Sequence, residues 1–115
     1  MKLYNVVLIF YPGDDTSTCT KQLCEFRDRW DLAASRNTLV FGVNPQKSDS
    51  HGKFRNKYKL PFPLLVDQGQ RAGELYHANG LIVKRTVYLV DDQGIIRFSQ
   101  RGKPAPEEVL ASVIE

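Results

Sequence analysis

Two cysteines stand close together near the start of the chain, and the first occupies a place where a thiol can become reactive. Residues 6–10 are an apolar run rich in β-branched and aromatic side chains, typical of a strand buried on both faces. Residues 12–15, Pro-Gly-Asp-Asp, end that strand, and Thr16, Ser17 or Thr18 can cap a following helix. Cys19 is therefore predicted to lie in the first helical turn, just beyond the carboxyl end of a central strand.

The start of a helix favours the ionised form of a cysteine. Its oriented backbone N–H groups attract negative charge, so we expect Cys19 to ionise more readily than a free thiol. The thiolate is the nucleophilic, redox-active form, and open α/β sheets place their sites at this edge. The competing interpretation is a small buried hydrophobic residue, which an isolated cysteine usually is. The local context favours a reactive Cys19.

Composition excludes several classes of protein. The 115 residues suffice for one domain with a modest core, and the formal charge of +3 comes from bases scattered among acids, without a nucleic-acid face. Two cysteines are too few for a disulfide-rich secreted scaffold, and a zinc site would also need His51 and His77, which lack paired spacing. No stretch is long enough to span a membrane. We expect no metal, cofactor, nucleic acid or membrane as partner, and a reducing cytoplasm as the compartment.

The remaining elements are those of a mixed α/β sheet. The first helix is predicted to end at residues 35–37, with an apolar stripe formed by Leu23, Phe26, Trp30 and Ala33 or Ala34. Further strands are predicted at residues 38–43, 64–66, 85–91 and 95–99, and further helices from 48–50 through 58, at 72–76 and at 107–114. Helices between strands imply parallel neighbours, and a hairpin turn at 92–94 adds an antiparallel pair. The prediction is one domain, residues 1–115, with a thioredoxin-like α/β fold: a mixed, mostly parallel sheet flanked by helices.

The ordered set of motifs resembles the peroxiredoxin family. The spacing Pro12-x-x-x-Thr16-x-x-Cys19 is similar to the signature around that family's reactive cysteine. Residues 7–28, with a second cysteine at Cys24, are similar to the bacterioferritin comigratory protein, or Q-type, branch. The similarity continues through Gly42-Val43, Ser50-His51-x-Lys53-Phe54, Leu60-Pro61-Phe62-Pro63-Leu64-Leu65-x-Asp67 and Arg85-Thr86-Val87-Tyr88-Leu89-Val90-Asp91. It covers nearly the whole chain.

The resemblance implies a thiol-dependent peroxidase. Cys19 would be the peroxidatic thiolate, which attacks one oxygen of hydrogen peroxide or a small organic hydroperoxide and becomes a sulfenic acid. Thr16 would position the thiolate and the peroxide, and Pro12 would restrict water around the sulfur. Arg85 would stabilise charge on the sulfur and on the peroxide oxygens. On position alone, Arg85 would be a solvated residue at the start of a strand.

The resemblance also implies that Cys24 is the resolving thiol, closing a disulfide that thioredoxin or a similar dithiol then reduces. Five residues along a helix turn the side chain by about 140°, and a disulfide needs Cα atoms within roughly 7 Å. We therefore predict that the first helical turns unwind before Cys24 reaches Cys19. If Cys24 is a passive thiol, an external thiol must resolve the sulfenic acid. A second class stays open: a non-catalytic thioredoxin-fold redox sensor or interaction module, which would oxidise once and stop.

The sequence departs from the family pattern in three places. Ser17-Thr18 stand where Pro-Gly is frequent, and Gln22 stands where glutamate is common, so the preferred peroxide stays open. Members of the family usually carry further residues before this first strand, which supply a hairpin and another strand. We therefore expect the strand from Thr38 to Val43 to be an open edge of the sheet. Either a second copy of the chain covers it in a homodimer, or the chain is poorly stable alone.

Overall fold

The computed structural model describes residues 3–113, which form a five-stranded sheet with apolar layers on both faces. The strands are β1 (Asn5–Phe10), β2 (Thr38–Asn44), β3 (Leu64–Val66), β4 (Thr86–Val90) and β5 (Ile96–Arg101), in the order β3-β2-β1-β4-β5. β1 pairs in parallel with β2, and β2 with β3, whereas β4 runs antiparallel to both β1 and β5. The predicted mixed α/β sheet is confirmed.

The helices are α1 (Ser17–Asp28), α2 (Trp30–Ser35), α3 (Ser48–Tyr58), α4 (Arg71–Leu75) and α5 (Pro106–Leu110). The single helix predicted up to residues 35–37 is wrong, because Arg29 leaves the helical region with φ −112° and ψ 27° and separates α1 from α2. After this break Trp30 packs against Phe62, with ring centroids 6.1 Å apart. The last helix is shorter than the predicted 107–114, whose final residue, Ile114, lies outside the described residues.

Side chains along β1 alternate between the two apolar layers. Val7, Ile9 and Tyr11 face the larger layer, to which the helices contribute Cys19, Leu23, Phe26, Ala33, Phe54, Val109 and Leu110. Phe10 faces a smaller layer with Val43, Ala78 and Val83, against which Leu8 also packs. Because both faces of β1 are covered, the strand has an unbroken apolar sequence instead of an alternating one.

β2 is an inner strand only at its carboxyl end, so the prediction of an open edge from Thr38 to Val43 is wrong for Gly42 and Val43. β1 pairs along one side of β2, and β3 pairs with Gly42, Val43 and Asn44 on the other. The crossover through α3 lays β3 beside β2, so that β3 and β5 are the outer strands within residues 3–113. Within residues 3–113, no strand pairs with the outer side of residues 38–41, so a homodimer through that part of β2 stays a prediction.

Candidate active site

The predicted site residues meet at the carboxyl end of β1. β1 ends at Phe10, and α1 begins shortly afterwards, with Thr16 at its N-cap. In the antiparallel ladder Phe10 pairs with Thr86, so Arg85, which precedes β4, comes beside the loop that follows β1. This register brings Arg85 to the start of α1 although the two are far apart in sequence.

Cys19 lies in the first turn of α1, and its side chain belongs to the larger apolar layer. The residue is 0 % exposed. Arg85 Nη2 donates to Cys19 Sγ across 3.2 Å. A guanidinium keeps its charge throughout the working pH range, and a buried site screens that charge weakly. The contact therefore holds a positive charge beside the sulfur, at the N-terminal end of α1.

Gln22 holds Arg85 in this position. Its Oε1 accepts a 2.7 Å hydrogen bond from Arg85 Nη1, while its Nε2 donates to the carbonyl oxygen of Gly102 across 3.4 Å. Gln22 is buried and lies almost one helical turn beyond Cys19, on the same face of α1. Sequence reasoning noted Gln22 only as a departure from a family pattern, because its partner is 63 residues away.

Thr16 and Pro12 shape the loop between β1 and α1. The Thr16 hydroxyl donates to the carbonyl oxygen of Gly13 across 3.2 Å and does not make the predicted side-chain cap bond to α1. Thr16 is exposed, whereas Pro12 is half-buried directly after Tyr11. Contacts of Thr16 with a peroxide, and exclusion of water by Pro12, stay predictions.

Cys24 lies five residues beyond Cys19 in the same helix, and both are free thiols. Cys24 is half-buried and packs against the larger apolar layer. Burial raises the pKa of its thiol, with the Arg27 guanidinium opposing the rise and the Asp28 carboxylate adding to it. Because α1 is continuous between the two cysteines, a disulfide would require local unwinding, as predicted from the spacing.

A buried polar cluster, to which sequence reasoning assigned no role, joins the loop after β1 to α3. The Asp14 carboxylate accepts hydrogen bonds from Tyr11 Oη and Ser50 Oγ, both at 2.6 Å, and from His51 Nδ1 at 2.7 Å. Burial raises the pKa of Tyr11, and so do its hydrogen bond to Asp14, the charge of Asp14 and the charge of Cys19. The cluster is thus electrostatically coupled to the thiol. Its only signal in the sequence was the pair Ser50-His51 within the family resemblance.

A membrane-spanning helix and a metal-binding cluster are both missing from residues 3–113. No helix in this range has both the length and the apolar character needed to cross a membrane. Within the same residues, no group of three or more His, Cys, Asp or Glu side chains is placed so that it could hold a metal ion.

Comparison with known proteins places the chain in a family. Residues 3–99 match the AhpC/TSA family. A Bcp-type peroxiredoxin of Coxiella burnetii is 36% identical over 108 residues, which cover 84% of this chain and 70% of that protein. The chain belongs to the Q-type, or Bcp, branch of the peroxiredoxins. The chloroplastic peroxiredoxin Q of Suaeda salsa is 36% identical over 96% of this peroxiredoxin and 53% of the plant protein. The chain thus spans about half the length of its plant relatives.

Solved structures support the same assignment. The crystal structure of BcpB from Mycobacterium tuberculosis matches with a TM-score of 0.89 and 26% identity, over 95% of this peroxiredoxin and 77% of that chain. The bacterioferritin comigratory protein of Xanthomonas campestris matches with a TM-score of 0.86 and 20% identity, over 96% and 78% of the two chains. The second match shows the fold alone. The predicted thioredoxin-like fold is confirmed.

Proposed function

We propose that this peroxiredoxin reduces hydrogen peroxide and small organic hydroperoxides, with Cys19 as the peroxidatic thiolate. The observation that carries the proposal is the 3.2 Å contact between Arg85 Nη2 and Cys19 Sγ at the start of α1. The relatives named peroxiredoxin Q and Bcp support the reaction class. The structure from Xanthomonas campestris is described with an alkyl peroxide reduction activity.

The first step transfers one oxygen atom to sulfur. The Cys19 thiolate attacks the terminal oxygen of the peroxide, an S–O bond forms and the O–O bond breaks. The leaving hydroxide or alkoxide takes up a proton and departs as water or alcohol. Cys19 is thereby oxidised to a sulfenic acid, and the peroxide is reduced by two electrons. Arg85 stabilises charge on the sulfur before the attack and on the departing oxygen during it.

The closed site favours small substrates. Cys19 is 0 % exposed, so a peroxide reaches the sulfur only after a local movement of the residues that cover it. A small displacement admits hydrogen peroxide more readily than a bulky hydroperoxide. We therefore propose that hydrogen peroxide and short-chain alkyl hydroperoxides are the preferred substrates.

The second step closes the cycle through Cys24. Its thiolate attacks the sulfenic sulfur, an S–S bond forms, and the hydroxide that leaves is protonated to water. A thioredoxin-type dithiol then reduces the disulfide by thiol exchange and restores both thiols. The first turns of α1 unwind for this step, because an intact helix points the two side chains about 140° apart. The cycle needs a reducing compartment, which we propose is the cytoplasm.

Steady-state turnover tests the proposal. Hydrogen peroxide consumption would be followed with thioredoxin, thioredoxin reductase and NADPH for the wild type, Cys19→Ser and Cys24→Ser. We expect sustained turnover in the wild type, none in Cys19→Ser and a depressed rate in Cys24→Ser. As a matched control, Cys24→Ser should still form one equivalent of sulfenic acid that dimedone traps, since its peroxidatic thiol is intact.

Two outcomes would contradict parts of the proposal. A folded wild type that consumes one equivalent of peroxide and then stops, with any dithiol reductant, would be a redox sensor and not a peroxidase. Full turnover by Cys24→Ser would show that an external thiol resolves the sulfenic acid, and Cys24 would lose its assigned role.

A further inference from the structure

The Asp14 carboxylate is enclosed by hydrogen-bond donors. Its Oδ1 accepts from Tyr11 Oη, and its Oδ2 accepts from Ser50 Oγ and His51 Nδ1. Ser50 Oγ accepts from Gln46 Nε2 across 3.3 Å, which leaves its own proton for Asp14. The Asp14 side chain is only 3% exposed. A carboxylate this deeply buried requires a compensating charge.

His51 faces a hydrogen-bond acceptor at each ring nitrogen. Nδ1 lies 2.7 Å from Asp14 Oδ2, and Nε2 lies 3.1 Å from the carbonyl oxygen of Leu65. A neutral imidazole has one N–H, so its other nitrogen would point a lone pair at an oxygen, whereas an imidazolium donates to both. His51 is buried, so solvent is poorly placed to replace either contact. A doubly protonated His51 would therefore satisfy both contacts at once.

Tyr11 links this ion pair to the reactive cysteine. Its ring lies in the same apolar layer as Cys19, and its hydroxyl donates to Asp14 across 2.6 Å. The charge of Cys19 and the charge of Asp14 both raise the pKa of that hydroxyl, so both groups lie within electrostatic reach of one phenol. Two negative groups placed in this way oppose each other's ionisation unless one is neutralised.

We propose that protonated His51 is a positioning residue for the chemistry of Cys19. Its imidazolium cancels the charge of Asp14, which would otherwise oppose the thiolate. Its two hydrogen bonds tie the loop of residues 12–16 to α3 and β3 and keep Tyr11 in place against Cys19. The inference rests on the proposed peroxidase function for its biological meaning, but its physical content can be measured without a peroxide.

Other charged side chains near the pair do not replace this role. Four of them line the two cavities beside His51 and Asp14, namely Arg55, Asp15, Lys53 and Lys57. Asp15 and Lys57 are joined to each other across 2.8 Å, which leaves a surplus of positive charge around the pair. From β3, the contact with His51 is the Leu65 carbonyl oxygen. Asp14 is therefore the group that holds the extra proton on His51.

Nuclear magnetic resonance detects directly whether both ring nitrogens of His51 carry a proton. In two-bond ¹H–¹⁵N spectra of the reduced protein at neutral pH, both ring nitrogens of His51 should have the chemical shifts of protonated nitrogens. The exposed His77 provides a reference imidazole in the same spectrum. A bare ring nitrogen at His51 under these conditions would overturn the proposal.

The effect on Cys19 is measured by the ultraviolet absorbance of its thiolate in a Cys24→Ser background. His51→Gln leaves the Asp14 charge uncompensated, so the thiolate fraction at a pH near the wild-type midpoint should fall by about threefold to tenfold. Adding Asp14→Asn removes both charges and should bring the thiolate fraction back to within about twofold of the starting protein. His77→Gln, the matched control, should leave the profile unchanged.

A purely structural role makes the opposite prediction for the double variant. The double variant loses more hydrogen bonds than His51→Gln alone, so with a purely structural role its thiolate fraction would stay as low or fall further. That result, or an unchanged profile in His51→Gln, would overturn the proposal.

If His51→Gln does not fold, the single variant Asp14→Asn tests the proposal instead, because the asparagine amide can donate to His51 Nδ1. His51 should then become singly protonated at Nε2, and a doubly protonated His51 in that variant would refute the pairing. Since no peroxide is used, a protein without turnover would still give a clear answer.

Discussion

Arg85 donates a 2.7 Å hydrogen bond from Nη1 to the side-chain oxygen of Gln22. The other terminal nitrogen of the same guanidinium lies 3.2 Å from Cys19 Sγ. A free arginine side chain samples many rotamers. The hydrogen bond to Gln22 already restricts Arg85, so less conformational entropy is lost when its guanidinium is held at Cys19 Sγ. Because glutamine is neutral, it orients Arg85 without cancelling the charge that the thiolate needs.

Replacing Gln22 tests the anchor. Gln22→Met keeps the size of the side chain but removes the acceptor, and we expect the rate of Cys19 oxidation by hydrogen peroxide to fall by about tenfold, the size of one charge-assisted hydrogen bond. Gln22→Glu keeps an acceptor for Arg85, although its charge opposes the thiolate, and should lose less. Stopped-flow fluorescence measures both rates. An unchanged rate in Gln22→Met would show that Arg85 needs no anchor.

Replacing Arg85 tests the charge itself. Arg85→Met should lower the rate of Cys19 oxidation by about a hundredfold to a thousandfold, which is typical for removal of a donor that stabilises developing charge. Arg85→Lys retains a cation but not the paired nitrogens that contact Gln22 and Cys19 together, so a partial loss is expected. Competition with a peroxidase of known rate measures both variants. Arg71→Met, at an exposed site on α4, serves as the control and should match the wild type.

The raised pKa of Cys24 predicts a pH dependence for resolution. The thiolate is the attacking form, and burial disfavours it in the folded helix. The rate of disulfide formation should therefore keep rising with pH above the pH at which the rate for an ordinary thiol becomes constant. Arg27→Gln removes the charge that lowers the pKa and should move the profile to higher pH, whereas Asp28→Asn should move it to lower pH. Single-turnover mass spectrometry after acid quenching distinguishes these directions, and a reversed order would contradict the electrostatic assignment.

Two glycine substitutions should change stability in opposite directions. A Cβ atom on Gly42 would lie 2.7 Å from Leu64 Cδ2 and 3.0 Å from Tyr11 Cε1. Gly42→Ala should therefore lower the free energy of unfolding by about 1–3 kcal/mol through overpacking. Gly52, within α3, has open space around its Cβ direction, so Gly52→Ala should raise that free energy by about 0.5–1 kcal/mol. Urea denaturation measures both, and equal effects of the same sign would refute this packing analysis.

Asp91 should make the hairpin between β4 and β5 sensitive to acid. Its carboxylate accepts from the backbone N–H of Ile95 and of Gln93, both at 2.9 Å, and from Arg97 Nε at 2.6 Å. The bond from Ile95 and then the one from Arg97 lower its pKa. The stabilisation is thus complete above the pKa of an unfolded aspartate and is lost as the pH falls through the lowered value. Asp91→Asn should melt at a lower temperature at neutral pH and show a flatter acid dependence in thermal melts.

The sequence by itself determined most of the elements and the place of Cys19. An apolar run, the Pro-Gly break and capping residues predict Cys19 at a helix start after a buried strand, and the structure has it there. Such features depend on neighbours a few residues away, so their free energies can be read from local patterns. The role of Arg85 came from family resemblance, because a lone arginine before a strand has no local signal.

Only the tertiary structure decided which distant side chains meet. Gln22 anchors Arg85 across 63 residues, and His51 reaches Asp14 across 37. The pairing of β3 with β2, which covers the expected edge at Gly42 and Val43, and the break at Arg29 were also invisible in local patterns. Strand order and side-chain contacts are selected by packing over the whole chain, because each long-range contact depends on the burial and register of many others. The periodicity of a short stretch of sequence therefore does not predict these contacts.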